Sequence, residues 1–197
     1  MPISAFTALQ AFRDHGEVKS GQKVLIIGAS GAVGTFAVQI AKKYGAEVTG
    51  VGSARNEELI RSVGADHFID YSKREITDDG QKYDVILDTA GNRCLSMLRK
   101  ALTKNGTLVI VGGAGGKWLM GVGRSIRATM LSPLVSQRLR MFLAKNNKED
   151  LGVLKELIES GDITPIVDKT YKLSEAAQAV ANVGERHSRG KTVISMR

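Results

Sequence analysis

Cysteine, proline and aromatic residues are scarce in this sequence of 197 residues: one cysteine (Cys94), three prolines and 5% aromatic side chains. A lone cysteine excludes an intrachain disulfide framework and a multi-cysteine zinc cluster, and it fits a reducing compartment. With so little proline and 43% apolar residues, neither a disordered nor a fibrous chain is expected. No apolar run approaches the roughly 20 residues that a bilayer-spanning helix needs, and no basic stretch followed by an apolar one opens the chain. These absences lead us to expect a soluble, cytoplasmic protein without a membrane partner.

Charge is the one lopsided feature, at +8 with a sequence pI of about 9.7. Such an excess attracts nucleic acid, membrane surfaces or small anions. The basic residues are dispersed, however. Their densest groups, Arg124/Arg127, Arg138/Arg140 and Arg186/Arg189/Lys191, are short and lack interleaved aromatics. Nucleic acid is therefore not expected as a partner.

What the chain does have is glycine, 22 residues of it, set between apolar stretches whose period switches repeatedly from strand to helix. That alternation is the mark of βα units around a parallel sheet. Lys23–Ile27 is continuously apolar after its first residue, as a strand covered on both faces must be. Gly31 to Tyr44 carries Val33, Phe36, Ala37, Ile40 and Ala41 at helical spacing, with Gly45 to stop it. Further strands are predicted at Val48–Val51, His67–Asp70, Asp84–Asp88, Thr107–Val111 and Arg138–Leu143. Helices are predicted at Asn56–Val63, about Cys94–Leu102 and Lys148–Glu159. Residues 114–136 show no clear period and read as a long loop. We divide the chain at 162: residues 1–162 form the sheet domain, and 163–197 form a tail with an extended piece at Ile166–Val167, a helix at Glu175–Val183 and a strand at Lys191–Ser195. The tail is too short for its own core and must dock on something.

The stretch Gly28-Ala29-Ser30-Gly31-Ala32-Val33-Gly34 lies between the first strand and the first crossover helix. At that place a glycine-rich turn binds a pyrophosphate: Gly31 lets the backbone approach the anion, Gly34 allows close helix–sheet packing, and the helix start offers free N–H groups. Ala29 stands where the usual pattern has its first glycine. A P-loop does not fit, because the helix opens Gly34-Thr35-Phe36 and not Gly-Lys-Ser/Thr. After the second strand, where an NAD site places a carboxylate on the ribose, the sequence reads Ser53-Ala54-Arg55. A hydroxyl and a guanidinium suit the 2′-phosphate of NADPH. The other reading is a solvated Arg55, with Glu57 or Glu58 turned back to an NAD ribose. Tyr71 stands where it can flank the adenosine phosphate.

Thr7-Ala8-Leu9-Gln10-Ala11, Gly21-Gln22-Lys23-Val24-Leu25-Ile26, the Ala29–Gly34 turn, Leu59–His67 and Arg189-Gly190-Lys191-Thr192-Val193-Ile194 occur in an order that resembles the medium-chain dehydrogenase/reductases, in their zinc-independent, quinone oxidoreductase-like branch. The resemblance implies a doubly wound α/β Rossmann domain with six parallel strands in the order 3-2-1-4-5-6. It implies hydride transfer from NADPH to a quinone or other conjugated carbonyl (enone) without zinc. It also implies a dinucleotide lined by Thr7, Ser30, Gly31, Ala32, Val33, Ser53, Arg55, Tyr71, Thr89, Ala90, Gly91, Gly112 and Gly113, and a homodimer formed through the sheet edge. Zinc-dependent relatives carry a cysteine four residues before the position of Thr7, where this chain has Ile3. Members of the family begin with a catalytic domain, so the chain looks like the cofactor domain of such an enzyme, with a tail that packs on that other domain. The alternatives are a non-catalytic dinucleotide-binding module and an alcohol dehydrogenase or enoyl reductase activity of the same superfamily.

No catalytic residue is assigned. His15, His67 and His187 have no metal-binding spacing. Cys94, at a helix start, is expected to be buried and inert, although a helix start can also lower a thiol pKa. Asp88 is expected to cap the turn that follows it.

Overall fold

The computed structural model describes residues 2–111, 136–184 and 189–196. An opening helix α1 (Pro2–Gln10) runs into a wider turn at Ala11–His15. There follow β1 (Lys23–Ile27), α2 (Gly34–Lys43), β2 (Glu47–Gly52), α3 (Glu57–Ser62), β3 (His67–Asp70), β4 (Tyr83–Asp88), α4 (Leu95–Ala101), β5 (Leu102–Ile110), β6 (Arg138–Met141) and α5 (Lys148–Glu159). All the pairings in the main sheet are parallel, and its order is β3-β2-β1-β4-β5-β6. This is the doubly wound α/β Rossmann arrangement. The tail adds β7 (Val167–Lys172), α6 (Ala176–Gly184) and β8 (Lys191–Ser195), with β7 and β8 paired in parallel as a separate two-stranded sheet.

The continuous apolar run of β1 is explained by its place at the centre. Val24 and Ile26 enter one core with Leu9, Phe12, Phe36, Ile40 and Leu154; Leu25 and Ile27 enter the other with Ile69, Ile86, Leu98 and Leu139. Side chains alternate across a strand, so a strand covered on both sides needs an apolar residue at every position. The same alternation splits Val85 and Leu87 from Ile86, and Val109 from Leu108 and Ile110.

Several boundaries differ from the sequence reading. The helix predicted from Gly31 begins at Gly34, because residues 28–33 are held in the turn. Ahead of α3 the chain makes a single tight helical turn at Ala54–Asn56. The fifth strand begins at Leu102 and not at Thr107, because Leu102 already pairs with Tyr83 before a register irregularity. The predicted loop 114–136 lies, apart from Ser136, outside the described residues. Among the described residues, no helix is long and apolar enough to cross a membrane.

The tail is tied to the sheet domain by specific bonds. Ile163 is buried in the α1/α2 core, Gln39 is hydrogen-bonded to Thr164 through both its amide atoms, and the Gly190 amide donates to the Ser30 carbonyl at 2.9 Å. Its outer side carries exposed apolar residues, among them Val167, Leu173, Val180 and Met196.

Candidate cofactor site

The C-terminal ends of β1, β2, β3 and β4 converge on one edge of the sheet, and the turn Gly28–Gly34 sits at its middle. Its shape follows from two glycines. Gly28 takes φ +83, a backbone state that other residues adopt at a cost. The helix is then drawn so close that a Cβ on Gly34 would stand 2.1 Å from the Gly28 carbonyl oxygen and 2.7 Å from Ala29 backbone atoms. The left-handed conformation falls on Gly28, so the next position tolerates alanine. Ala29 is wholly buried and its methyl packs towards Gly50.

The Gly28 and Ala29 amides both donate to the Val51 carbonyl, and the Gly31 amide donates to the Gly28 carbonyl. Among the described residues, the Ala32 and Val33 amides have no backbone acceptor. Val33 lies at the start of α2 and has no side chain capping the helix. Unpaired donors at a helix start, backed by its dipole, form an anion site. A Cβ at Gly31 would meet only the Gly28 carbonyl oxygen, at 3.3 Å, so the outer face of the turn is open.

Ser53 leaves β2 in an extended conformation, and the tight turn that follows places Arg55 in solvent. The Asn56 side chain joins this loop to the phosphate turn by donating to the Ser30 hydroxyl at 2.9 Å, while its own carbonyl oxygen is buried without a partner. Arg189, from the far end of the chain, donates from its guanidinium to the Arg55 carbonyl at 2.9 Å. Asp70, at the end of β3, is nearly buried; hydrogen bonds from the Ser72 amide and hydroxyl hold its carboxyl below the usual range. Tyr71 follows it and is half-exposed.

Of the residues read from the sequence, Ser30–Val33, Ser53, Arg55, Tyr71 and Thr89–Gly91 all come to this edge. The Thr89 hydroxyl donates to the Ile27 carbonyl at 2.8 Å. The Ala90 and Gly91 amides donate to Asp88 Oδ1 at 3.1 and 2.9 Å, so Asp88 caps this turn as expected and the two amides are already engaged. Thr7 lies on α1, its hydroxyl bonded to the Ile3 carbonyl of its own helix. Gly112 and Gly113 lie outside the described residues. Asn56, Asp70, Arg189 and Gly190 were not assigned to the site from sequence. The Ser53–Asn56 loop itself was legible, but a contact spanning 134 residues leaves no local pattern.

The remaining candidates are also settled among the described residues. Cys94 is exposed and not buried, since it immediately precedes α4 on its outer side; the Ser96 hydroxyl and the Met97 amide hold its thiol below the ordinary range. His15 stacks on Phe142, and His67 stands 2.9 Å from Glu47 at the opposite edge of the sheet. His187 is outside the described residues.

Sheet order, crossovers and phosphate turn together define a Rossmann-type cofactor-binding domain. A profile of the family described as zinc-binding dehydrogenase matches residues 63–194. The mouse protein named NAD(P)H oxidoreductase RTN4IP1, mitochondrial, is 34% identical over 217 residues, which cover 100% of this chain and 54% of that protein. The chloroplast envelope quinone oxidoreductase homolog of Arabidopsis thaliana is 31% identical over 205 residues, covering 98% of this chain and 60% of the relative. Among solved structures, the quinone oxidoreductase from Coxiella burnetii superposes with a TM-score of 0.86 at 27% identity, over 100% of this chain and 59% of that one. The chain belongs to the zinc-binding dehydrogenase family, as a quinone oxidoreductase-like member of the medium-chain dehydrogenase/reductases. It spans little more than half the length of these relatives.

The family's description raises zinc directly. Ile3 offers no ligand atom, and among the described residues no group of three or more His, Cys, Asp or Glu is placed to hold a metal ion. These residues do not fit a zinc centre.

Proposed function

We propose that this chain binds NADPH as the cofactor domain of an oxidoreductase that delivers hydride to a quinone or another conjugated carbonyl. The observation that carries the reading is the Gly28–Gly34 turn, open on its outer face and backed by unpaired helix-start amides, beside a β2 end that presents Ser53 and Arg55 and no acid. The names of the relatives support the oxidoreductase class and the carbonyl substrate.

When bound, the reduced nicotinamide supplies the hydride. The chain's own residues bind and orient. The Ala32 and Val33 amides take the pyrophosphate, and Gly31 removes the side chain that would keep it away. Ser53, Arg55 and Tyr71 take the adenosine end with its 2′-phosphate, while Thr89–Gly91 border the nicotinamide end. Thr7 completes the set on the α1 side. A fixed nicotinamide in a shielded pocket is the main thing hydride transfer asks of a protein. We also propose that β6, at the outer edge of the sheet, pairs with a second copy of the chain.

Arg55→Glu tests the cofactor choice. Reversing a charge at a phosphate contact is expected to weaken NADPH by roughly 30-fold and NADH by less than about 3-fold, read by calorimetry. Equal losses for the two cofactors overturn the 2′-phosphate assignment. NADPH oxidation with a quinone acceptor tests turnover; binding without it leaves a dinucleotide-binding module.

A further inference from the structure

The last segment of the chain reaches the site in a way that the local sequence does not announce. Two consecutive residues, Arg189 and Gly190, touch two separate loops of the site. The Gly190 amide donates to the Ser30 carbonyl of the phosphate turn, and the Arg189 guanidinium donates from Nη2 to the Arg55 carbonyl. The placement is built and not incidental. Gly190 is buried with φ +76, and a Cβ there would stand 2.6 Å from the Ile166 carbonyl oxygen, so the backbone that aims Arg189 admits only glycine without distortion. The Arg189 amide is fixed to Asp168 Oδ2 at 3.1 Å, and the following amide, of Lys191, donates to the Ile166 carbonyl.

This geometry brings two guanidinium-bearing residues to the end of β2. Among the described residues, neither Arg55 nor Arg189 has a carboxylate ion pair. Of the nearby acids, Asp168 accepts from the main chain, Glu57 pairs with Arg61 at 2.9 Å, Glu58 is exposed, and Asp70 accepts from Ser72 through Oδ1 while its buried Oδ2 has no partner. Neighbouring cations without a shared acid repel one another, and an anion between them removes that cost. One fork already spends a donor on a carbonyl, which fixes its plane and leaves its remaining N–H groups for an anion.

We propose that Arg189 is a specificity-determining residue: together with Arg55 it forms a two-guanidinium clamp for the 2′-phosphate, supplied in part by the terminal segment. This rests on the NADPH reading above and extends it by a residue that lies outside the β2 loop. The carbonyl bond orders the guanidinium in the free protein, so less freedom is lost on binding than for a solvated arginine.

The test is calorimetric titration of the full chain with NADPH and NADH, and with 2′,5′-ADP and 5′-AMP, for the wild type, Arg189→Gln, Arg189→Lys and Arg55→Gln. Loss of one charged, oriented phosphate contact is expected to weaken NADPH and 2′,5′-ADP about 10-fold in Arg189→Gln and leave NADH and 5′-AMP within about 2-fold. Arg189→Lys keeps the charge and loses the fork, so an intermediate loss confined to the phosphorylated ligands supports the clamp. If Arg189→Gln weakens all four ligands alike, the residue is only a structural tie, and the proposal fails. If Arg55→Gln lowers the preference for NADPH while both Arg189 variants keep it, the proposal fails and the NADPH reading stands. If the wild type shows no preference for the phosphorylated ligands, both fail together. Thermal unfolding of each variant separates a lost contact from a lost fold.

Discussion

Replacing Gly34 by alanine is expected to raise the dissociation constants of NADPH and NADH together by more than about 100-fold. The added methyl would sit 2.1 Å from the Gly28 carbonyl oxygen and 2.7 Å from the Ala29 backbone, and backbone cannot swing aside as a side chain can. Either α2 moves off the sheet or the turn opens. Both displace the amides that hold the pyrophosphate, and neither discriminates between the cofactors. Calorimetry with both dinucleotides reads the effect, and a loss below about 3-fold in either would show that the turn does not carry the anion. Gly152→Ala is the natural control: nothing lies within 4 Å of its Cβ position in the exposed middle of α5, so it should bind normally and gain a few tenths of a kcal/mol or more from helix propensity.

Asp150→Ala is expected to cost about 3 kcal/mol of stability at neutral pH, measured by urea unfolding. The carboxylate is 2% exposed and ties α5 to α1. It accepts from Gln10 Nε2 at 2.7 Å, from Arg13 Nη1 at 2.5 Å and from Asn147 Nδ2 at 2.9 Å. Gln10 is meanwhile bonded to Lys145 through both backbone atoms. Removing the acid strands several donors, although Arg13 keeps part of its hydration and so limits the loss. The pH dependence follows with a definite sign. Hydrogen bonding to Arg13 lowers the Asp150 pKa from 3.8 to about 2 in the folded state. A depressed carboxyl stabilises the fold above its unfolded value, and the contribution is lost as pH falls from about 3.8 through about 2. The stability difference between the wild type and Asp150→Asn should therefore shrink over that interval. A gap that stays constant down to pH 2 would place the stabilisation elsewhere.

The sequence disclosed the parts of the molecule that local rules govern. β1, β3, α5 and β8 fall at the expected residues, because an apolar run or a 3.6-residue period bounded by glycine or polar residues decides them. The first crossover helix was placed three residues early, since Val33 fits the helical period but serves the turn. Ala29 departs from the usual glycine pattern, and the structure shows why that is harmless: the positive φ sits one residue earlier, at Gly28. Cys94 was misjudged because burial at the edge of a helix depends on what packs there, which no nearby residue reveals. Asn56 and Arg189 escaped assignment for a related reason. Their partners lie 26 and 134 residues away, and a single sequence carries no trace of such pairings.

The bonds of the terminal segment have a consequence for the path of the chain. The Lys191 ammonium donates to the Ser4 hydroxyl, so the first residue of β8 is held against the first turn of α1. Elements separated by 187 residues are thereby stitched together, so the tail cannot swing off the sheet domain without also letting go of α1.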